Sequence, residues 1–144
     1  MGRLRRRLAD QRGTALLETA LTLPLLLVVS VGIFEFGRAY QTWQVLTNAS
    51  REGARVACLE GTTDADVRTR VNDYLRVGGL PAQPDSNIAV DRNVPLTATA
   101  TGSRIQVNYP FNFMVLNPIV RLVVSTSTVG GPITMQAQSI MRNE

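Results

Sequence analysis

The first third of the chain passes from a polar leader into a long apolar run. Residues 1–13 are hydrophilic, whereas Ala15–Phe34 reads ALLETALTLPLLLVVSVGIF, and Thr19–Phe34 within it carries no charge. Twenty helical residues rise about 30 Å, which matches the hydrocarbon core of a bilayer. The pattern therefore predicts a transmembrane helix over residues 14–34, with a kink at Pro24 that a membrane-spanning helix tolerates.

The helical pattern continues beyond the apolar run as an amphipathic segment. Between Glu35 and Leu59, apolar and small residues recur at alternating spacings of three and four, while charged residues such as Glu35 and Arg38 lie off their stripe. A single helix from Ala15 to Leu59 would be about 68 Å long. Two interpretations stay open: the stripe is the core face of a folded domain, or it contacts neighbouring subunits. Its members are Phe36, Ala39, Trp43, Leu46, Ser50, Gly53 and Ala57.

Turn and cap signals predict a second helix. Gly61-Thr62-Thr63 ends the first helix, Thr63 is placed to cap Asp64–Val77, and Gly78-Gly79 closes that segment. A Pro-containing loop, Leu80–Asn87, follows. The sequence thus predicts two helices before any strand begins.

Period-two alternation in the remaining chain predicts three or four antiparallel strands, and so an α+β fold. About 85 residues outside the long helix make a marginal domain on their own, so we expect the helix stripe to complete the core. The expected segments are a strand around Ile88–Val94, a second over Leu96–Thr101, a turn at Gly102-Ser103, a third strand over Arg104–Tyr109, a short helix from Asn117 to about Val124, and a last strand from Ile133.

The amino-acid composition excludes most common kinds of catalytic site. The chain has no His, a single Cys at position 58 and no Lys, so all fifteen positive side chains are Arg. An intrachain disulfide, a His-based triad or metal site, a P-loop lysine and a Schiff base are therefore impossible. Asp64, Asp66 and Asp73 lack the spacing of a calcium loop, and the first two suit a helix N-terminus. We expect no metal and no cofactor, and Cys58 is expected to act as a small buried hydrophobe.

The net charge of +4 comes from the leader. Five of the first thirteen residues are Arg and one is Asp, and the rest of the chain is neutral. A basic tag before a neutral body is typical of membrane topology or targeting, whereas a nucleic-acid-binding domain carries its Arg on the folded surface. The positive-inside rule places the N-terminus in the cytoplasm and everything after Phe34 outside. We expect no nucleic-acid partner.

Glu18 does not suit a plain membrane anchor. A carboxylate in hydrocarbon costs roughly 2.5–3.5 kcal/mol on insertion scales. Either Glu18 reaches the interface from near the start of the apolar segment, or it has a partner. Cleavage after Gly13 would make Thr14 the N-terminus, and its α-amino group has the charge needed to neutralise Glu18. A secretory signal cleaved after the apolar run is a further alternative, although Glu35-Phe36-Gly37-Arg38 is a poor cleavage site.

Three motifs occur in order along the first 57 residues. They are the run Gly13-Thr-Ala-Leu-Leu-Glu18-Thr-Ala-Leu-Thr-Leu-Pro24-Leu-Leu-Leu, then Ile33-Phe-Glu35-Phe-Gly37-Arg38, then Ala49-Ser-Arg51-Glu52-Gly53-Ala54-Arg55-Val-Ala57. Together they resemble the TadE-like family, the minor pilins or pseudopilins of the Tad (Flp) pilus machinery. The leader with its Gly and Glu resembles the class III signal of type IV pilins.

The resemblance implies a three-part chain: a basic leader over 1–13, a membrane helix over 14–34, and an extracytoplasmic pilin-like domain over 35–144. It implies processing between Gly13 and Thr14 by a prepilin peptidase, and contacts with other pilins or pseudopilins and Tad assembly proteins. It implies no enzymatic activity and no small-molecule substrate. Two alternatives remain: an uncleaved anchored domain that binds a partner and never polymerises, and a surface enzyme that uses carboxylates such as Asp64, Asp66 and Asp73.

Overall fold

The computed structural model describes residues 2–115 and 131–143, with side chains described from residue 13 onward in those ranges. Over these residues the fold is α+β, as predicted from the sequence, with a long helix, a short helix and three antiparallel strands. The predicted helix from Asn117 to Val124 lies outside the described residues. The elements are α1 (Gly2–Ala57), α2 (Asp64–Val77), β1 (Ile88–Pro95), β2 (Thr101–Phe111) and β3 (Ile133–Arg142), with a 3-10 turn at Asp85–Asn87 before β1.

Helix α1 contains 56 residues and continues through Pro24 without interruption. At 1.5 Å per residue it is about 84 Å long. The helix ends at Ala57, short of the predicted Leu59, and the Arg92 side chain binds the carbonyl of this last residue. The Arg92 guanidinium donates to the carbonyls of Ala57 at 3.0 Å and Thr62 at 3.1 Å, and it pairs with Asp64 at 2.8 Å.

Helix α2 has the predicted bounds because local interactions define both ends. At its N-terminus, Thr63 Oγ1 accepts a hydrogen bond from the Asp66 backbone N–H, and the Asp66 carboxylate accepts one from the Thr63 backbone N–H at 2.8 Å. This reciprocal capping box satisfies two otherwise free donors. Beyond its C-terminus, Gly79 adopts a φ of 78°, which favours glycine. Its buried face consists of Val67, Val71 and Leu75.

The three strands form one antiparallel sheet in the order β1-β2-β3. Two details differ from the expectation. Leu96–Ala100 is the hairpin loop rather than a strand, because the N–H groups of residues 96 and 97 both turn back to the Ala100 carbonyl. Gly102 lies inside β2 and not in a turn. A Cβ at that position would lie 2.7 Å from the Met141 carbonyl oxygen. The glycine permits a close approach between β2 and β3.

One face of the sheet packs against α2 and the C-terminal half of α1, as the size argument required. Gly53 of α1 lies where this helix contacts both α2 and the sheet. A Cβ there would lie 2.6 Å from Val71 Cγ2 and 3.3 Å from Ile105 Cγ2. The opposite face is polar and includes an ion pair between Asp91 and Arg104 at 3.0 Å. The buried cluster contains Leu46, Ala49, Ala54, Ala57, Val67, Val71, Leu75, Ile88, Ile105, Val107 and Ala137.

Candidate membrane anchor and assembly helix

The N-terminal half of α1 is apolar and is not covered by the rest of the protein. Its most apolar window has a mean hydropathy of 2.1, and none of that window is buried within the described residues. Most large apolar side chains from Leu16 to Phe34 are more than half exposed, whereas Val31 is half-buried. A helix that is hydrophobic all round needs an apolar environment, and this one is long enough to cross a bilayer. It therefore fits membrane anchoring.

The hydroxyl groups in the uncharged run are satisfied within the helix. Thr19 Oγ1 donates to the Ala15 carbonyl at 2.9 Å, Thr22 to that of Glu18 at 2.9 Å, and Ser30 to that of Leu26 at 2.8 Å. Polar groups inside a bilayer must find partners without water. These hydrogen bonds leave the span without an unsatisfied hydroxyl between Thr19 and Phe34.

Glu18 is the exception on this segment. Its side chain is exposed, and in the part of the chain whose side chains are described its carboxylate has no hydrogen-bond or ion-pair partner. Gly13 lies more than one helical turn before it, and a Cβ on Gly13 would meet nothing within 4 Å. Thr14 is also exposed. The proposed processing site, Gly13 and Thr14, is thus open on the surface of the helix, and Glu18 is available to an intermolecular partner.

A buried ionic cluster lies directly after the predicted span. The Glu35 side chain is 1% exposed; its carboxylate pairs with Arg38 at 3.0 Å and accepts a hydrogen bond from the Val115 N–H at 2.6 Å. Arg38 also donates to the Asn112 carbonyl, and its guanidinium lies 4.2 Å from the centre of the Phe111 ring. These contacts join α1 to the end of β2 and to the residues that follow it.

Burial of the Glu35 carboxyl acts to raise its pKa, but the Val115 N–H and Arg38 more than offset this, so its pKa lies below the ordinary value. The carboxylate is thus stable in its charged form inside the protein, since every charge-assisted contact favours that form. Sequence reasoning missed this role and placed Glu35 and Arg38 off the packing stripe. The available signal was an acid and an arginine at i and i+3, immediately after the apolar run.

The predicted stripe follows the buried face only in its second half. Leu46, Ser50, Gly53 and Ala57 are buried, whereas Ala39 is half-buried. Phe36 and Trp43 are exposed, so the core-face interpretation is wrong for them. At their level the buried positions are Glu35, which accepts a hydrogen bond from the Val115 N–H, and Thr42, whose hydroxyl donates to the Arg38 carbonyl within α1. The exposed residues remain available to the other interpretation, contact outside the domain.

The carboxylates considered for catalysis or metal binding are engaged elsewhere. Asp64 pairs with Arg92, Asp66 caps α2, and Asp73 pairs with Arg76 at 2.7 Å. Among the described residues, no group of three or more Cys, Asp or Glu side chains could hold a metal ion. Cys58 is half-buried, not buried as expected, with its thiol 3.6 Å from the Met141 carbonyl oxygen.

Residues 13–55 match the family model described as TadE-like protein. The match begins at the proposed processing site and ends inside the buried half of α1. It confirms the resemblance drawn from the three sequence motifs over this segment. No curated protein and no solved structure matches the chain.

Proposed function

We propose that the protein is a membrane-anchored minor pilin or pseudopilin of a Tad (Flp) pilus system. The observation that carries the proposal is α1 itself. Its apolar half, which the described residues leave uncovered, bears the Glu18 carboxylate without a partner among the described side chains, and the helix continues unbroken into the core of a small α+β domain. The TadE-like match over residues 13–55 supports the same assignment. The role is structural: the subunit contributes to pilus assembly, adhesion or secretion, without catalysis, a metal or a small-molecule substrate.

The proposed topology has three parts. Residues 1–13 are a cytoplasmic leader, 14–34 cross the cytoplasmic membrane, and 35–144 form a domain outside it. The Arg-rich leader supports this orientation through the positive-inside rule. Protease added to spheroplasts is expected to digest the region beyond Leu59, and protection of that region contradicts the topology.

Processing between Gly13 and Thr14 is the testable step that separates this function from a static anchor. Gly13→Leu should block cleavage by prepilin peptidase, because a large side chain crowds the enzyme at the junction. Gly32→Leu is the matched control, since both glycines lie on exposed helix with nothing within 4 Å of a Cβ. The readout is the mass of the protein recovered from membranes, with and without the peptidase.

The two functions predict different masses. A pilin-like subunit loses its leader in the wild type and in Gly32→Leu, and keeps it in Gly13→Leu. If the wild type keeps an intact N-terminus in cells that contain the peptidase, the chain is an uncleaved anchored domain, and its function is binding a partner outside the cell.

A further inference from the structure

Strand β2 runs along α1 toward the predicted bilayer. Near the start of β2, Gly102 approaches the Met141 carbonyl, which the Cys58 thiol at the end of α1 also contacts. Farther along β2, Ile105 packs beside Gly53, and at its end Phe111 lies against the Arg38 guanidinium. Successive residues of β2 therefore lie beside residues that come progressively earlier in α1, so the two elements run in opposite directions. The strand ends close to the predicted membrane surface.

The residues after β2 continue in the same direction. Arg38 holds the Asn112 carbonyl, and the Glu35 carboxylate holds the Val115 N–H at 2.6 Å. Glu35 is the first residue after the proposed span of 14–34, so residues 112–115 lie level with the outer membrane surface. The two charges at this level pair with each other, and their hydrogen bonds to the Asn112 carbonyl and the Val115 N–H offset part of the cost of placing them near a medium of low dielectric constant.

Three large apolar side chains at this level are exposed. Phe36 is 74% exposed, Met114 is 66% exposed, and Ile133, which is paired with Phe111, is 45% exposed. Arg38 lies about 6 Å beyond Phe34 along the helix axis. The polar headgroup region of each leaflet is about 5–7 Å thick. All three side chains are thus within reach of the boundary between headgroups and acyl chains.

We propose that Phe36, Met114 and Ile133 form a membrane-seating surface, which rests the folded domain on the outer leaflet at this boundary. The occupant is lipid because the surface is continuous with the exposed apolar half of α1 and its neighbouring charges are already paired. The proposal rests on the anchoring proposed above. It adds a second contact with the bilayer, made by the sheet end of the domain, which fixes the tilt of the domain before assembly.

Tryptophan fluorescence can locate these side chains, because the chain has a single Trp at position 43. In a Trp43→Phe background, one Trp is placed in turn at Met114, Ile133, Leu59 or Leu96, with Leu25→Trp as the marker of the span. Leu59 is 53% and Leu96 is 41% exposed, which matches them to Met114 and Ile133, but both lie at the far end of the domain. The full chain is reconstituted in phosphatidylethanolamine–phosphatidylglycerol vesicles without brominated lipid or with lipids brominated near the carbonyl end of the acyl chains. Leu25→Trp, at the middle of the span, is measured with lipids brominated near the methyl end instead.

The expected result is a fall in emission of about twofold for Met114→Trp and Ile133→Trp in brominated vesicles, as for side chains at the headgroup boundary. Leu59→Trp and Leu96→Trp should show no quenching. If Leu25→Trp is quenched and Met114→Trp and Ile133→Trp are not, the membrane-seating surface is wrong while the anchor stands. If Leu25→Trp also escapes quenching, the anchoring itself fails. Blue-shifted but unquenched emission from Met114→Trp means that protein covers this surface, which also overturns the proposal.

Discussion

Among single residues, Glu35 contributes most to how the domain joins its helix. Its carboxylate is fully charged and almost wholly buried, and it is satisfied by Arg38 on the same helix and by the Val115 N–H. The partner at Val115 lies 80 positions away along the chain. No local pattern predicts such a contact, which explains why the sequence placed Glu35 off the packing stripe.

Removal of the Glu35 carboxylate should destabilise the domain. Glu35→Ala leaves the Arg38 charge without its partner and the Val115 N–H without an acceptor, which should cost about 3–5 kcal/mol of unfolding free energy. Glu35→Gln keeps an acceptor but not the charge, and should cost about 1–3 kcal/mol. Chemical denaturation of the full chain in detergent micelles measures both. Exposed Glu60→Ala is the control, and equal stability of Glu35→Ala and Glu60→Ala contradicts the role of the cluster.

Two glycines on α1 allow helix propensity to be separated from packing. Alanine is favoured over glycine by about 1 kcal/mol inside a helix. At Gly37 a Cβ meets nothing within 4 Å, so Gly37→Ala should stabilise by about that amount. At Gly53 the new Cβ would lie 2.6 Å from Val71 Cγ2, and the overpacking should outweigh the gain, for a net loss of about 1–2 kcal/mol. Unfolding midpoints of the two variants should thus move in opposite directions, and a shift of both upward shows that the helices can separate at Gly53.

At the scale of elements, the sequence predicts best what neighbouring residues determine. The bounds of α2 follow from Thr63 and Gly79, which act within a few residues of each helix end. The hairpin was misplaced because Gly102 was interpreted as a turn residue. Glycine is needed there because the Met141 carbonyl on another strand leaves no room for a Cβ, and no local pattern reveals that contact. The same distinction applies to the stripe on α1, whose spacing is helical throughout but whose buried direction depends on where the sheet ends.

The contact between α1 and α2 should respond to acid. Glu52 on α1 accepts hydrogen bonds from Arg55 and, across the helix pair, from Arg70 at 2.8 Å. These bonds lower the pKa of Glu52 from 4.5 to about 2. Because the folded-state pKa is depressed, this stabilisation is complete above the unfolded value near 4.5 and is lost as the pH falls toward 2.

The test compares the wild type with Glu52→Gln across that range. Both arginines are about half exposed, so solvent screening should limit the advantage of the wild type at pH 7 to about 1–2 kcal/mol. The advantage should shrink between pH 4.5 and 2 in thermal unfolding monitored by circular dichroism. Arg70→Ala should reduce it already at pH 7. An advantage that does not change with pH contradicts the role of the Glu52 charge, and an advantage that Arg70→Ala leaves unchanged contradicts the link between the two helices.

At the scale of the whole molecule, one helix serves two environments. Its C-terminal half is buried by α2 and the sheet, while the most apolar stretch of its N-terminal half is not covered by any of the described residues. The length of the apolar segment of α1 could be predicted from the sequence because it depends on hydropathy alone. Any contact of the uncovered half with other subunits depends on molecules outside this chain, and we expect such a contact to depend on Glu18 and Pro24.

Assembly should depend on the Glu18 carboxylate. In a bundle of such helices, the α-amino group that cleavage frees on Thr14 of a neighbouring subunit would pair with Glu18, and the low dielectric constant of the bilayer would strengthen the attraction. The pair would also fix the axial register between subunits. Glu18→Ala should leave membrane insertion intact or improve it, since an uncompensated carboxylate costs roughly 2.5–3.5 kcal/mol there. Cleavage after Gly13 should change little.

The defect should appear only in the assembled state. Co-purification with pilin partners and the number of pili per cell should both fall in Glu18→Ala, and fall less in Glu18→Gln, which keeps a hydrogen bond without the charge. Glu60→Ala removes the same group from an exposed position outside the span and should assemble as the wild type does. If Glu18→Ala also assembles normally, Glu18 is an interfacial residue that reaches the headgroups, and the register between subunits must come from packing along the apolar face of α1.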